Sequence, residues 1–137
     1  MSDDHITPDF LAMLFEGWFD PCPYPRPVWD GLSIPWMDKT YANIPYSRRT
    51  KDKPGPEAWV KKAIRENAEG KRIALLVRHD HSTAWWAEAR NAGGHFLPIM
   101  ERVQFMKPDG SPNGDSPNFL STLILFGVKP TEGRDAR

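Results

Sequence analysis

Apolar residues recur every three to four positions in three parts of the chain, which is the spacing of one helix face. The pattern predicts three helices, running from Thr7 to Gly17, from Pro56 to Gly70 and from Ser82 to Gly93. Thr7 and Pro8 are a typical N-cap and first helical residue, and Ser82 is the predicted N-cap of the third helix. The glycine at each C-terminal end allows the left-handed conformation that often stops a helix.

Short runs of strand-like composition separate the helical patterns. The runs are Trp18–Asp20, Lys39–Asn43, Arg72–Val77, the segment around Pro98 and Phe119–Val128. Helices alternate with these strands, and strands that are apolar throughout are typical of a sheet covered on both faces. The sequence therefore predicts an α/β fold, with a mostly parallel sheet and helices on both of its faces.

Polar or proline-containing segments follow three of the predicted strands. They are Asp20-Pro21-Cys22-Pro23, Asn43-Ile44-Pro45-Tyr46 and Arg78-His79-Asp80-His81. Ligands of parallel α/β sheets bind beyond the C-terminal ends of the strands, because the loops there converge on one crevice. We expect the three segments to meet at one edge of the sheet and to form a binding site.

The second of these segments has the chemistry to hold a flat ring that carries an amino group. The Asn43 side-chain carbonyl and the Ile44 backbone carbonyl are two acceptors that would leave the lone pair of an amino nitrogen free. Pro45 fixes the backbone, and Tyr46 offers a flat face on which a base can stack. A capped turn with a packed tyrosine has the same composition, so both interpretations stay open at this point.

The other two segments are less specific. The Asp20 carboxylate can accept a cation or a ribose hydroxyl at a sheet crevice, although an Asx-turn before a proline loop is a common alternative. His79, Asp80 and His81 suggest a metal site, but adjacent side chains point in different directions and rarely chelate together. A solvated loop is the favoured interpretation, and no metal is predicted. The sequence has neither a GxGxxG dinucleotide fingerprint nor a GxSxG nucleophile elbow.

Composition narrows the class of protein. The 137 residues suit one domain, predicted over 1–128, with a polar and disordered tail at 129–137. Lys and Arg balance Asp and Glu at 18 each, so the net charge gives no case for nucleic acid. Four cations nevertheless cluster after Tyr46, namely Arg48, Arg49, Lys51 and Lys53. The one cysteine, Cys22, excludes an internal disulfide and a multi-cysteine metal site.

The sequence gives no sign of export or of a membrane anchor. The first ten residues are acidic and lack an apolar run, so no signal peptide is predicted. No segment approaches the ~20 apolar residues that a membrane span needs. We therefore expect a soluble, cytoplasmic protein with no membrane partner.

Several of these motifs stand in the order found in a known family. They are Thr7-Pro8, Phe19–Pro23, Asp30–Leu32 with Trp36, Asn43–Ser47, Ala74–Val77 with Ser82–Trp86, Arg102–Phe105 and Ser116–Phe126. In these residues the chain resembles the phage-type DNA N6-adenine methyltransferases, the small Dam-like enzymes of bacteriophages and prophages. Each motif alone is common, whereas their order along nearly the whole chain is fairly specific.

The resemblance implies a Rossmann-like, S-adenosylmethionine-dependent methyltransferase domain that acts on adenine N6 in double-stranded DNA. It implies that the cofactor is bordered by Thr7, Pro8, Asp20, Pro21, Cys22, Asp30 and Leu32. It implies that a flipped adenine is held by the catalytic residues Asn43, Ile44, Pro45 and Tyr46. The chain has no segment long enough for a separate target-recognition domain, so DNA contacts are expected from Ser47, Arg48, Arg49, Lys51 and Lys53.

One departure from the family pattern bears on activity. The pattern has proline where this chain has Ile44, which keeps the backbone carbonyl but loses part of the rigidity. Three functions therefore stay open. The chain could be an adenine-N6 DNA methyltransferase, a methyltransferase of RNA adenines or protein amides, or a weak or inactive relative that binds DNA or a partner protein.

Overall fold

The computed structural model describes residues 9–23, 30–44, 54–99 and 121–128. Its elements, in chain order, are α1 (Asp9–Leu14), β1 (Thr40–Asn43), α2 (Pro56–Ala68), β2 (Ile73–Arg78), α3 (Ala84–Asn91), β3 (His95–Pro98) and β4 (Ser121–Phe126). The three predicted helices and four of the predicted strands are confirmed, with ends that differ by a few residues. The predicted N-cap Thr7-Pro8, the Arg102–Phe105 motif and the tail at 129–137 lie outside the described residues.

None of the helices in the described residues is long and apolar enough to cross a membrane.

The four strands form one sheet in the order β1-β2-β4-β3. β1 and β2 are parallel, whereas β4 is antiparallel to both of its neighbours, β2 and β3. The prediction of a mostly parallel sheet is therefore wrong, because the described sheet is mixed. A continuous apolar run indicates burial on both faces, and β4 meets that condition as a central strand whatever its direction.

This topology brings the ends of several strands to one edge of the sheet. Because β4 reverses direction between β2 and β3, the strands β1, β2 and β3 all point the same way. Asn43 at the end of β1, Arg78 at the end of β2 and Ser121 at the start of β4 therefore lie along the same edge. We call this the C-terminal edge, and the opposite one the N-terminal edge.

The predicted strand Trp18–Asp20 is reduced to a single bridged residue. Phe19 pairs in parallel with Thr40, donating to the Lys39 carbonyl at 2.9 Å and accepting from the Tyr41 N–H at 2.8 Å. The next residue in the ladder would be Pro21, which has no N–H to continue it. The residues that follow the bridge run toward the C-terminal edge, where the Cys22 thiol contacts the Asn43 carbonyl.

Helices cover both faces of the sheet, as predicted. On one face, α2 and α3 pack against alternate strand residues, and the buried members include Val60, Ala63, Trp85, Ala89, Ala42, Ile44, Leu75, Val77 and Ile124. On the other face, α1 contributes Leu11 to a cluster with Tyr41, Ala74, Leu76, Leu123 and Leu125. Neighbouring strand residues alternate between the clusters, as the two-residue period of a strand requires.

A buried carboxylate fixes the segment before β1 to α2. The Glu66 side chain accepts hydrogen bonds from the Trp36 N–H at 2.6 Å and from the Lys71 ammonium at 2.6 Å. Its other oxygen pairs with Lys62 at 3.5 Å. Burial alone would raise the pKa of Glu66, but the hydrogen bonds from Lys71 and Trp36 and the nearby ammonium groups hold it below its ordinary value. The network positions Trp36, whose Nε1 donates to the Gly31 carbonyl at 2.8 Å.

The third helix has a different N-cap from the predicted one. The cap is Thr83, whose hydroxyl oxygen accepts from the Trp86 N–H at 3.4 Å and donates to the Asp80 carbonyl at 2.9 Å. Ser82, the predicted cap, instead donates to the Asp80 carboxylate at 2.9 Å. Both hydroxyls suit a cap by composition, and the backbone conformation decides which of them faces the first turn.

Candidate active site

Two of the predicted strand-end segments contact each other at the C-terminal edge. The Cys22 thiol donates a hydrogen bond to the Asn43 backbone carbonyl across 3.5 Å. They meet because the parallel bridge of Phe19 to Thr40 sets the residues that follow Phe19 alongside β1. The loop Asp20–Cys22 and the end of β1 therefore form one wall of the edge.

Asp20 lies half-buried beside this contact. Its Oδ1 accepts a hydrogen bond from the Cys22 N–H at 2.9 Å, which is the Asx-turn considered from the sequence. Burial raises the pKa of the Asp20 carboxyl, and the hydrogen bonds from Cys22 oppose that rise only in part. No cation of the described ranges forms an ion pair with it. Because a carboxylate has about four acceptor positions, Asp20 can also accept a ligand cation or hydroxyl.

Asp30 and Leu32 lie in a turn that the aspartate itself closes. The Asp30 carboxylate accepts from the Leu32 N–H at 3.0 Å through one oxygen and from the Ser33 hydroxyl at 2.9 Å through the other. The Asp30 carbonyl also accepts from the Ser33 N–H at 2.9 Å. The side chain of Asp30 therefore shapes the turn, and half-buried Leu32 is its apolar member.

Gly31 lets this turn approach the loop that carries Asp20. A Cβ built at Gly31 would lie 2.3 Å from the Pro21 carbonyl oxygen and 2.9 Å from the Trp59 ring. Any side chain there would push the turn and the loop apart. The sequence prediction did not single out Gly31 or Trp59 for the site, although a glycine in a turn is a signal for close backbone approach.

Asn43 is held through its backbone and keeps a half-buried side chain. Because strand residues alternate, the Asn43 side chain belongs to the face of Tyr41, opposite to the face that buries Ile44. The carbonyl of Asn43 accepts from Cys22, and the next N–H, that of Ile44, donates to the Leu76 carbonyl at 3.4 Å. The main chain at the predicted base-holding residue is thus fixed from both neighbouring segments.

Ile44 replaces the proline of the family pattern with a different source of rigidity. Its side chain is 2% exposed and packs in the cluster beneath α2 and α3. Its bond to Leu76 extends the β1–β2 ladder beyond the strand end, and a proline could not make it. Burial and the extra ladder bond therefore offset the rigidity that the sequence comparison suggested was lost.

In the third strand-end segment, His79 and Asp80 hydrogen-bond to other side chains of the protein. Nδ1 of His79 lies 2.7 Å from the Thr122 hydroxyl of β4, and the His79 ring meets the Trp86 ring edge-on at 5.0 Å between centroids. The Asp80 carboxylate accepts from Ser82. In the part of the chain that the structure describes, no group of three or more His, Cys, Asp or Glu side chains is arranged to hold a metal ion.

The remaining predicted site residues lie outside the described residues. They are Thr7, Pro8, Pro45, Tyr46, Ser47, Arg48, Arg49, Lys51 and Lys53. Their roles in binding cofactor, base and phosphate stay predictions.

Comparisons with known proteins point to one family. The family model described as DNA N-6-adenine-methyltransferase (Dam) matches residues 27–134. A DNA N-6-adenine-methyltransferase of Escherichia phage T1 is 36% identical over 67 residues, which cover 47% of this chain and 25% of the phage protein. The chain thus spans about a quarter of the length of that curated relative. No solved structure matches the chain.

The family match divides the predicted site residues into two groups. Asp30, Leu32 and the whole stretch from Asn43 to Lys53 fall within the matched residues. Thr7, Pro8 and the Asp20–Cys22 loop precede them. The match assigns no role to any single residue, so the base-holding, DNA-contacting and cofactor-binding roles stay predictions.

Proposed function

The chain belongs to the DNA N-6-adenine-methyltransferase (Dam) family, and we propose that it transfers a methyl group from S-adenosylmethionine to the N6 atom of adenine in DNA. The observation that carries the proposal is the position of Asn43 and Ile44. They fall within the family match and lie at the C-terminal edge, in contact with the Asp20–Cys22 loop. Group transfer requires both reactants at one place, and adjoining cofactor and base segments would meet that requirement.

The residues at this edge fit the chemistry of the cofactor. S-adenosylmethionine, when bound, supplies the methyl group and presents an amino group and ribose hydroxyls to the protein. The Asp20 carboxylate, which no cation of the described ranges pairs with, would accept a hydrogen bond from one of these donors. Asp30 would act by holding its turn, because both of its oxygens already bond within that turn. Thr7, Pro8, Pro21, Cys22 and Leu32 would complete the border of the cofactor.

Asn43 and Ile44 would hold the target base. The Asn43 side-chain oxygen and the Ile44 carbonyl would accept the two amino hydrogens of a flipped adenine, with Pro45 fixing the chain and Tyr46 stacking on the ring. Positive charge develops on N6 as its lone pair forms the new bond, so the two acceptors bind the transition state more strongly than the ground state. The hydrogen bonds to the Asn43 carbonyl and from the Ile44 N–H hold the peptide between these residues and would limit its movement when the base binds.

The segment after Tyr46 would bind duplex DNA through its phosphates. Arg48, Arg49, Lys51 and Lys53 place four cations within six positions, and the Ser47 hydroxyl adds a neutral donor. Neutralising phosphates releases counterions, so the affinity for DNA should fall steeply as the salt concentration rises.

An inactive relative is the second candidate that the Ile44 substitution raised. The environment of Ile44 favours activity instead. The buried Ile44 side chain and the hydrogen bond from its N–H to Leu76 would keep the Ile44 carbonyl in a defined position. The acceptor proposed for the adenine amino group is a backbone atom, which the substitution leaves unchanged.

The test combines cofactor binding with a methyl-transfer assay on three acceptors. S-adenosylmethionine and S-adenosylhomocysteine are titrated calorimetrically into the purified protein, and labelled methyl transfer is followed on unmethylated duplex DNA, on RNA and on protein. We expect micromolar cofactor binding and transfer to adenine in DNA. Transfer to RNA or protein alone would reassign the substrate, and cofactor binding without any transfer would favour the inactive relative. Absence of binding at millimolar cofactor would overturn the proposal.

A further inference from the structure

Two buried tryptophans stack beside the turn at Gly31 and differ in the partners of their indole N–H groups. The rings of Trp36 and Trp59 lie 6.2 Å apart with 26° between their planes, and the residues are 2% and 6% exposed. Nε1 of Trp36 donates to the Gly31 carbonyl at 2.8 Å. Nε1 of Trp59 is buried and has no hydrogen-bond partner in the part of the chain that the structure describes. Buried N–H groups are nearly always paired, so this donor points to an acceptor that a ligand brings.

The Trp59 N–H lies beside the contact between the Gly31 turn and Pro21. A Cβ built at Gly31 would lie 2.9 Å from Cη2 of the Trp59 ring and 2.3 Å from the Pro21 carbonyl oxygen. In the rigid indole, Cη2 and Nε1 lie along the same edge, yet the Pro21 carbonyl does not accept from the N–H. Cys22 and Leu32, which the resemblance assigns to the border of the cofactor, pack against the cluster that contains Trp59. The unpaired donor therefore lies next to both predicted cofactor segments.

The surroundings of this donor suit a flat, neutral acceptor better than a charged one. The cluster around Trp59 is apolar, and Trp36 adds a second aromatic ring. A buried anion would need a cation, and Lys62, which lies 5.9 Å over the Trp36 ring, already pairs with Glu66. The ring nitrogens of adenine are neutral acceptors in a flat heterocycle. Among the groups that S-adenosylmethionine carries, its adenine is thus the one that fits.

We propose that Trp59 is a cofactor-binding residue, whose indole N–H donates to a ring nitrogen of the adenine of S-adenosylmethionine. The inference rests on the proposed function, which supplies the cofactor. Asp20 and Trp59 would then bind different parts of it, because the carboxylate takes an amino or hydroxyl donor and the indole takes an acceptor. Since Nε1 is shielded from solvent, the adenine must displace part of what covers it, and the new bond recovers the cost of an unpaired donor.

Calorimetric titration of the wild-type protein and Trp59→Phe separates the hydrogen bond from ring packing. The ligands are S-adenosylhomocysteine and three analogues in which N1, N3 or N7 of the adenine is replaced by C–H. Trp59→Phe keeps an aromatic ring without the donor and should bind S-adenosylhomocysteine about tenfold more weakly. For the nitrogen that Trp59 binds, the analogue should bind the wild-type protein about tenfold more weakly than the parent. Trp59→Phe should no longer distinguish these two ligands.

Trp36→Phe is the matched control, because Trp36 lies in the same stack but its N–H already bonds to Gly31. This variant should keep the wild-type ratio between the affinities of parent and analogue, whatever its overall affinity. It also leaves the Gly31 carbonyl without this donor, so its midpoint of urea unfolding should fall further than that of Trp59→Phe. The Trp59 substitution removes no hydrogen bond from the described part of the chain.

The outcomes separate this inference from the proposed function. Loss of discrimination confined to Trp59→Phe would support the hydrogen bond. Weaker binding by Trp59→Phe with the wild-type analogue ratios would overturn it in favour of packing, and unchanged affinity would overturn it outright. Equal binding of the parent and all three analogues by the wild-type protein would also overturn it, even if neither variant folds. Wild-type protein that does not bind the cofactor at millimolar concentration would instead overturn the proposed function, and the inference with it.

Discussion

Two carboxylates in different parts of the protein, Glu66 and Asp20, differ in their partners and in the direction of their pKa shifts. Glu66, beside the N-terminal edge, accepts from Trp36 and Lys71 and pairs with Lys62, and these partners lower its pKa. Asp20, in the loop that leads to the C-terminal edge, accepts a hydrogen bond from the Cys22 N–H, and burial raises the pKa of its carboxyl. One edge neutralises its charge within the fold, whereas the other keeps a carboxylate without a cation partner among the described residues. A perturbed carboxylate of the second kind is typical of a binding site.

A second ion pair at the N-terminal edge follows the same rule as Glu66. The Arg72 guanidinium donates to Asp38 at 2.8 Å, and the Arg72 N–H donates to the same carboxylate at 2.8 Å. The side-chain and backbone hydrogen bonds from Arg72 hold the pKa of Asp38 well below its usual range. Asp38 precedes β1 and Arg72 precedes β2, so the pair joins the starts of the two parallel strands. We infer that the N-terminal edge stabilises the fold and that the C-terminal edge serves the ligand.

The largest expected effect at the N-terminal edge is the loss of Glu66. Glu66→Ala removes the acceptor of the Trp36 N–H and leaves buried Lys62 unpaired, which should lower the free energy of unfolding by about 3–5 kcal/mol. Urea denaturation measures this change. Glu69→Ala is the matched control, because Glu69 also pairs with Lys71 but is 65% exposed and should matter little. Equal decreases in the free energy of unfolding of both variants would contradict the idea that the buried Glu66 pairs stabilise the fold more than the exposed Glu69 pair.

At the C-terminal edge, the largest expected effect falls on turnover. Asn43→Ala removes one acceptor of the adenine amino group and should lower kcat by about 10²–10³-fold, with cofactor affinity nearly unchanged. Asn67→Ala is the control at the other edge, where the Asn67 amide donates to the Lys71 carbonyl at 2.8 Å and should affect stability alone. Equal loss of turnover and of cofactor binding in Asn43→Ala would contradict the assigned role.

Substitution of Gly31 should have an intermediate effect, on both stability and cofactor affinity. In Gly31→Ala the added methyl group would meet the Pro21 carbonyl at 2.3 Å, so the turn must move and unfolding should become easier by about 1–3 kcal/mol. Cofactor affinity should fall about tenfold, because two of its predicted contact segments separate. Gly70→Ala, where a Cβ meets no atom within 4 Å but φ is +94°, should cost about 1–2 kcal/mol from backbone strain alone. Calorimetric titration with the cofactor distinguishes the two variants, because only Gly31→Ala should bind it more weakly. Unchanged affinity in Gly31→Ala would place the cofactor elsewhere.

Restoring the family proline should not improve the protein. Ile44→Pro removes the N–H that bonds to Leu76 and part of a buried side chain, which should lower stability by about 1–3 kcal/mol without raising kcat. Ile44→Val keeps the N–H and should cost only about 1 kcal/mol. A clear rise in methyl transfer in Ile44→Pro would show that the isoleucine limits activity.

The two carboxylates should also respond to acid with opposite signs. The folded-state pKa of Glu66 is lowered, so its stabilisation is complete above the ordinary value of 4.5 and is lost as the pH falls through the lowered pKa. The pKa of Asp20 is raised, so its ionised form weakens the fold at neutral pH, and that penalty disappears below the ordinary value of 3.8. Urea unfolding of Glu66→Gln and Asp20→Asn across this range measures both. We expect Glu66→Gln to flatten the acid loss and Asp20→Asn to stabilise at neutral pH only.

Much of the secondary structure could be read from the chain because its signals are local. The helix at Pro56 begins with a proline at its first turn, and the apolar run at Ile73 forms a buried strand, as predicted. Strand direction was not readable, because apolar composition reports burial and is the same for parallel and antiparallel neighbours. The antiparallel β4 between β2 and β3 was therefore missed, as was the choice of Thr83 over Ser82 as cap.

The sequence by itself determined where the polar strand-end residues fall, since Asp20 and Asn43 follow strands by composition alone. Only the tertiary structure decided what holds them. The thiol of Cys22 bonds to a carbonyl 21 positions away, and Glu66 bonds to a backbone N–H 30 positions away. Gly31 likewise contacts the Pro21 carbonyl only because the folded chain brings the turn and the loop together. Such contacts depend on distances between segments that no local pattern of residue types encodes.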